Sequence, residues 1–195
     1  TPSNAGTMTV TVTDEEASNG ENSLRLTSTG ITTASGFDTV RGPPIISDEA
    51  VGLGSNATVS IDWRSKGGGD AYDSYAYLLN VSTGETIEIL NSTGASAGVE
   101  TDWATTEVRV TKAGSYKFVF VGGTFDASGG RAAGAQLYVD NIRVDPGENP
   151  DANYELLLDS GSLSEIDASI ETLLTYRADL GATTNRIIHA VDYLT

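Results

Sequence analysis

The stretch SYAYLLNV, residues 74–81, decides the fold, because its large apolar side chains recur at every second position. Successive side chains of an extended chain point to opposite faces, so Tyr75, Tyr77, Leu79 and Val81 share one face. Alternation of this kind predicts a β-strand rather than a helix, which would repeat its apolar positions every three or four residues.

The same period of two extends outward from this stretch over residues 1–145. It recurs in MTVTVT (8–13), SLRLT (23–27), ATVSIDW (57–63), TIEIL (86–90), TEVRV (106–110), SYKFVFV (115–121) and AQLYVDNIRV (135–144). Turn-forming segments separate these runs, namely GGGD (67–70), STGE (82–85), KAGS (112–115) and DASGGRAAG (126–134). Short alternating strands with regular turns predict an antiparallel β-sandwich of about eight or nine strands, arranged as a jelly roll.

After residue 145 the pattern changes. The acidic, Pro- and Gly-containing segment DPGENPDAN (145–153) indicates that residues 146–161 form a linker. Ser162 and Glu165 form a capping box, which predicts that a long C-terminal α-helix occupies residues 162–195. Its apolar residues repeat at spacings of three and four, and this narrow stripe favours packing against partner helices. The stripe contains Leu163, Ile166, Ile170, Leu173, Leu180, Ile187, Val191 and Leu194.

Gly181 stands inside this predicted helix, where glycine costs roughly 1 kcal/mol relative to alanine. Together with Ala182 it allows a second helix to approach closely, which offsets that cost. The alternative is that the helix breaks near residue 181 into two shorter helices.

The motif Arg-x-x-Leu-Gly-Ala-x-x-Asn-Arg within residues 163–195 resembles the start of the conserved C-terminal helical region of bacterial flagellins. The resemblance implies a fragment of a structural subunit of the flagellar filament, located outside the cell, with residues 1–145 as its surface-exposed outer domain. Its partners would be other flagellin subunits and the family's N-terminal helices, which this sequence lacks. The assembly contacts implied are Arg177, Leu180, Gly181, Ala182, Asn185 and Arg186. The related hook–filament junction protein is the alternative within that family.

The sandwich segment has a resemblance of its own. ASNGENSLRLTSTG (17–30) and AQLYVDNIRV resemble the first and last strands of jelly-roll carbohydrate-binding modules, and the middle of the segment resembles repeats of bacterial surface adhesins. A carbohydrate-binding or adhesin-type module, binding surface glycans, is therefore the alternative function. In such modules the glycine-rich turn meets an aspartate of the last strand around a structural calcium, and the matching positions here include Gly20 and Asp140.

Two groups of residues are candidates for calcium, which takes six to eight oxygen ligands. The first contains Gly20, Glu21 and Asp140; the alternative is that Asp140 and Asn141 form a turn or bulge. The second contains Asp70, Asp73 and Asp126, which flank predicted strands. Three converging carboxylates would repel one another without a cation, but the sequence does not show that they converge.

Exposed aromatic rings are candidates for stacking on sugars, and the residues proposed here are Tyr72, Tyr75 and Trp103. Trp63 continues the face of Val59 and Ile61 and is predicted to belong to the core. Aromatic residues in strand patterns generally belong to the core, and this is the alternative for the three candidates as well.

The composition restricts the function classes. The chain of 195 residues has no cysteine and only one histidine, His189, which falls in the predicted helix. Ser–His and Cys–His catalytic machinery is therefore not expected in the sandwich, and we predict a protein that is not an enzyme. The net charge of −16 disfavours nucleic acids and anionic membranes as partners.

Overall fold

The structure is a computed structural model that describes residues 6–31, 37–127 and 133–147. These residues form eleven β-strands, and every strand pair among them is antiparallel. The strands are β1 (Gly6–Thr13), β2 (Ser23–Ile31), β3 (Thr39–Arg41), β4 (Ile45–Ile46), β5 (Val51–Leu53), β6 (Thr58–Lys66), β7 (Ala71–Asn80), β8 (Thr86–Thr93), β9 (Ala104–Arg109), β10 (Gly114–Phe125) and β11 (Gln136–Asp145).

Two sheets make up the sandwich. The first sheet has the strand order β1-β2-β11-β6-β9. The second sheet has the order β3-β10-β7-β8, and the short strands β4 and β5 also pair with β10. The prediction of a mainly β, antiparallel sandwich is thereby confirmed.

The predicted number of eight or nine strands was too low. The additional strands are mainly β3, β4 and β5, which are two or three residues long. A strand this short presents one side chain or two to each face, so no alternation can be recognised in the sequence.

The core lies between the two sheets and is built from alternate positions of their strands. Val59 and Ile61 of β6 are fully buried and Trp63 joins them, as the alternation in ATVSIDW predicts. Leu26 of β2, Leu137 of β11, and Ala76 and Leu78 of β7 are 0–1 % exposed and complete the centre. Burying each large aliphatic side chain contributes roughly 1.5–3 kcal/mol.

The hairpin between β7 and β8 shows how local sequence forms the turns. The Asn80 side-chain oxygen accepts hydrogen bonds from the backbone N–H groups of Ser82 and Thr83, each at 3.0 Å. Gly84 adopts a positive φ of 74°, which a residue without a side chain tolerates. The predicted break at STGE is therefore a side-chain-capped turn that brings β7 and β8 together.

The described strands all belong to the first of two units of the chain, Thr1–Pro150. The predicted helix of residues 162–195 lies outside the described residues. In the part of the chain that is described, no helix is long and apolar enough to cross a bilayer.

Candidate functional site

The outward face of the second sheet carries two neighbouring tyrosines. In β7, Ala76 and Leu78 point into the core and are fully buried, while Tyr75 and Tyr77 alternate with them and point outward. Both rings are partly exposed. Their centroids lie 5.4 Å apart with an angle of 42° between the ring planes. The two rings therefore form a short aromatic surface on a sheet face.

Apolar residues of the neighbouring strand support these rings. On β10, Val121 lies opposite Tyr75 and Val119 lies opposite Tyr77. Val119 is also opposite Ile46 of β4, so residues of two strands flank it. The two valines are 7 % and 0 % exposed although they do not belong to the cluster between the sheets. The two tyrosines therefore lie beside buried apolar side chains on the outward face of the sheet.

Arg41 of β3 lies over one face of the Tyr75 ring. Its guanidinium carbon lies 4.7 Å from the centroid of the Tyr75 ring, in cation–π geometry. Its Nε donates to Asp73 Oδ2 at 2.5 Å, and its Nη2 donates to Asp73 Oδ1 at 3.3 Å. Thr93 Oγ1 donates to the same carboxylate at 2.9 Å. Asp73 is only 2 % exposed, so Arg41 is held in one orientation by a buried partner.

A close backbone approach places Arg41 there. Gly123 of β10 pairs with Arg41, and a Cβ atom at position 123 would come within 2.7 Å of the Val40 carbonyl oxygen. Glycine is therefore required at this position, where β3 pairs closely with β10.

Polar residues of β8 border the aromatic surface. Asn91 lies opposite Tyr75, and Glu88 lies opposite Tyr77. Asn91 Nδ2 donates to Glu88 Oε2 at 3.1 Å. Burial raises the pKa of the Tyr75 hydroxyl, and the negative charge of Glu88 raises it further against the opposing effect of Arg41. Tyr75 is therefore a protonated hydrogen-bond donor at neutral pH.

The three residues predicted to stack on sugars lie apart. Tyr75 lies on the outward face just described. Tyr72 is 6 % exposed, and its hydroxyl is 3.4 Å from Ser92 Oγ, so its ring offers no open surface. Trp103 precedes β9 in the first sheet and packs edge-on against Tyr138, with ring centroids 6.4 Å apart.

Four members of the aromatic surface and its border were not among the predicted site residues, namely Arg41, Tyr77, Glu88 and Asn91. Tyr77 could have been found, because it follows Tyr75 at the spacing that puts both rings on one face. Arg41 and Glu88 lie 34 residues before and 13 residues after Tyr75, and no local pattern connects them with it.

Of the first predicted calcium group, Asp140 is hydrogen-bonded to the residues that precede Gly20 and Glu21 in the chain. Asp140 Oδ2 accepts the N–H groups of Ser18 at 2.8 Å and Asn19 at 2.9 Å, and its Oδ1 accepts the N–H of Asn141. Burial disfavours the charged carboxylate, but these backbone donors outweigh it and lower the pKa of Asp140. Gly20 sits in the adjoining turn with φ of 72°, and Glu21 is exposed. Asn141 also has positive φ, at the irregularity in the β11–β6 pairing.

Asp62 lies directly opposite Asp140 and joins the same network. Its oxygens accept hydrogen bonds from Thr105 Oγ1 at 2.6 Å, Ser18 Oγ at 2.8 Å and Asn141 Nδ2 at 2.8 Å. Burial opposes ionisation here too, and these three donors lower the pKa of Asp62. Two neighbouring carboxylates are thus kept ionised, mainly by neutral hydrogen-bond donors.

In the second predicted calcium group, two members come to the same end of the second sheet. Ala71 pairs with Phe125 at the end of the two strands, and Asp70 and Asp126 are the next residues beyond that pair. Both are at most 2 % exposed. Asp73 instead forms the ion pair with Arg41. Within the described ranges, no group of three or more His, Cys, Asp or Glu side chains is arranged to hold a metal ion.

The predicted assembly contacts all lie outside the described residues. They are Arg177, Leu180, Gly181, Ala182, Asn185 and Arg186. His189 lies there as well.

Comparison with known proteins finds similarity in solved structures alone. No family model matches the chain, and no curated protein matches it. One similar structure is described as "Family 16 Carbohydrate Binding Module-2", with 20 % identity over 70 % of this chain and 84 % of that one, and a TM-score of 0.37. Another is TmCBM61 in complex with β-1,4-galactotriose, with 12 % identity, coverage of 70 % and 81 %, and a TM-score of 0.43.

A third similar structure is a carbohydrate-binding module specific for non-crystalline cellulose, CBM28. It has 13 % identity, coverage of 70 % of this chain and 80 % of that one, and a TM-score of 0.41. These similarities concern the β-sandwich fold, and at such TM-scores they identify no ligand for this chain.

Proposed function

We propose that the sandwich is a non-catalytic module that binds carbohydrate on the outward face of its second sheet. The observation that carries this proposal is the pair of partly exposed rings, Tyr75 and Tyr77, placed side by side on the outward face of the sheet. Aromatic faces stack on the apolar C–H surface of a sugar ring. Groups that fix the ligand's orientation stand on both sides of the rings, as in other small-molecule sites.

The bordering polar groups suit the hydroxyls of a sugar. Glu88 accepts hydrogen bonds, and Asn91 both donates and accepts. Arg41 is already held by Asp73 and supplies a fixed donor edge. The net charge of −16 disfavours an anionic polymer, so the proposed ligand is a neutral polysaccharide chain.

Binding to a panel of neutral polysaccharides tests the proposal. Soluble glucans, xylan, mannan and galactan would be tested by affinity electrophoresis and calorimetry with the full chain. We expect at least one to bind, and Tyr75→Ala and Tyr77→Ala to weaken binding about tenfold each, since an aromatic contact contributes on the order of 1 kcal/mol. Tyr75→Phe, which keeps the ring, is the matched control and should retain most of the affinity.

Three results would contradict the proposal. The first is unchanged affinity when both tyrosines are replaced in a protein whose circular dichroism is unaltered. The second is binding that depends on Trp103 instead, which would move the site to the first sheet. If none of the polysaccharides binds the folded protein, the proposal also fails.

A structural calcium at Asp140 remains a prediction. Binding would require the N–H donors of Ser18 and Asn19 to give way to carbonyl and carboxylate oxygens. Thermal unfolding with calcium and with EGTA tests it: a bound structural ion raises Tm in calcium, and equal values of Tm contradict it.

The prediction that the chain is a flagellar filament subunit rests on the motif between Arg177 and Arg186 alone. That motif lies outside the described residues, and no family model supports it. An adhesive role on a bacterial surface is compatible with glycan binding whether or not the chain enters a filament. Immunogold microscopy with antibody against residues 1–145 separates these locations: label along filaments supports the filament subunit, and label on the cell body contradicts it.

A further inference from the structure

β1 is the end strand of the first sheet and has an unusual composition for that place. Within the described residues it pairs with β2 alone. Its eight residues, GTMTVTVT, include no charged residue and no proline. An end strand exposes a row of backbone N–H and C=O groups that can pair with another chain, and proteins usually protect such edges with charges, prolines or short length.

The end strands β9 and β8 show that protection. β9, at the other end of the first sheet, carries Glu107 and Arg109. β8, at an end of the second sheet, carries Glu88. An eight-residue edge without charge therefore stands out in a chain with 27 acidic residues.

The side chains of β1 add exposed apolar surface at the same place. Val10 is 39 % exposed and Val12 is 74 % exposed, although both lie on the face that points toward the interior. Val12 lines an open cavity of about 360 Å³ together with Leu24, Val139 and Ile142. Ile142 is itself 45 % exposed. The apolar surface is thus continuous with the end of the first sheet, where β1 has no second partner among the described strands.

We propose that β1 pairs with β1 of a second copy of this chain, antiparallel and across a two-fold axis. In the register centred on Thr11, Thr11 lies opposite Thr11 of the second copy, and Val10 lies opposite Val12. These facing residues are neutral and β-branched, a favourable combination for cross-strand pairs. The two five-stranded sheets become one sheet of ten strands.

Self-complementarity is the reason for choosing a second copy as the occupant, because TVTVT (9–13) is symmetric about Thr11. Two chains of net charge −16 repel one another over most of their surfaces, so a contact between copies is expected where a strand carries no charge. A two-fold axis also requires the strand to complement itself, and the alternation of threonine with valine does so.

A single cysteine tests the pairing directly, because the sequence of 195 residues contains none. In the proposed register the two Thr11 Cα atoms lie about 4.5–5.5 Å apart, within the range for a disulfide. Thr11→Cys in the full 195-residue chain should form a covalent dimer under mild oxidation. The reaction should be at least about tenfold faster than for the control Ala104→Cys, because pairing holds the two thiols at a millimolar effective concentration. Ala104 is exposed on β9, at the opposite end of the same sheet.

A charge substitution provides the second measurement. Thr11→Asp places two carboxylates opposite each other in the dimer and should raise its Kd at least about tenfold in sedimentation equilibrium. Ala104→Asp adds the same charge at the opposite edge and should leave the Kd unchanged. A wild-type chain that stays monomeric at all concentrations overturns the proposal. So does equal cross-linking of the two cysteine variants, or a dimer that Thr11→Asp does not weaken.

Discussion

At the residue scale, a few positions define the candidate site, and their roles depend on contacts between distant parts of the sequence. Arg41 is held over Tyr75 because Asp73, which Thr93 also hydrogen-bonds, accepts its hydrogen bonds and because Gly123 lets β3 approach. None of these residues stands in a local sequence motif. The position of Arg41 over Tyr75 depends on the close approach of β3 to β10, which Gly123 permits.

The first prediction concerns that glycine. Gly123→Ala places a Cβ 2.7 Å from a backbone oxygen of β3, so the backbone has to shift and Arg41 moves with it. We expect a loss of about 1–3 kcal/mol in the free energy of unfolding by urea, as for other overpacking substitutions.

Its matched control is the neighbouring Gly122→Ala. The added Cβ there meets the flexible Met8 side chain, at 3.3 Å from the sulfur, and Leu26 Cβ at 3.4 Å, so the cost should be smaller. Equal losses for the two variants would show that the close backbone approach at position 123 is unimportant.

The second prediction concerns the carboxylates of Asp62 and Asp140. Both have pKa values lowered by hydrogen-bond donors in the folded state, against an unfolded value of about 3.9. A lowered folded pKa contributes stability that is complete above the unfolded pKa and is lost as pH falls through the folded pKa. The free energy of unfolding should therefore decrease as pH falls below about 4.

The variant Asp140→Asn identifies the source of this loss. At pH 7 it should cost about 1–3 kcal/mol, because N–H donors of Ser18 and Asn19 lose a charged acceptor. The difference from wild type should shrink toward pH 2. Urea unfolding at several pH values measures it, and a difference that is independent of pH argues against the ionised carboxylate.

At the element scale, β7 shows how an alternating pattern leaves the direction of its faces open. The residues that define the pattern in the sequence, Tyr75, Tyr77 and Leu79, point away from the core. The face that enters the core carries Ala76 and Leu78. Both faces of β7 are apolar enough to be buried. Only the packing of the first sheet against the second shows which of them is the core face.

The third prediction compares two neighbouring leucines of β7. Leu78→Ala empties a fully buried position and should cost about 2–5 kcal/mol. Leu79→Ala removes the same atoms from the outward face and should cost about 1 kcal/mol or less. Equal losses in chemical denaturation would contradict the assignment of the two faces.

At the scale of the whole molecule, the sandwich contains every residue of the proposed binding face. Strands from three separate segments, β3, β7 and β8, contribute to it. The proposed site therefore needs the folded sandwich, and none of its members belongs to residues 162–195.

The fourth prediction follows from this placement. Deleting residues 162–195 should leave the affinity for a polysaccharide that the full chain binds within about twofold, as for independent sites. Calorimetry on the truncated and full chains measures it. A filament subunit would instead show its defect in assembly, and a large loss of glycan affinity on truncation would contradict a binding site confined to the sandwich.

The sequence by itself determined the class of the fold. Alternation with a period of two is a local property of the chain, and it marks ATVSIDW and SYKFVFV as strands without reference to any neighbour. The side-chain cap at Asn80 and the glycine at position 84 are local as well. An antiparallel sandwich follows from such strands and turns.

Only the tertiary structure decided what each strand does. Val12 has the alternation of a core residue, yet it is 74 % exposed because β1 lies at the end of its sheet. Tyr75 and Tyr77 form a surface, and Arg41 joins them from a strand of three residues. The physical reason is that burial and side-chain contact are set by pairing between segments far apart in the chain, whereas the periodicity of a strand is set by its own backbone.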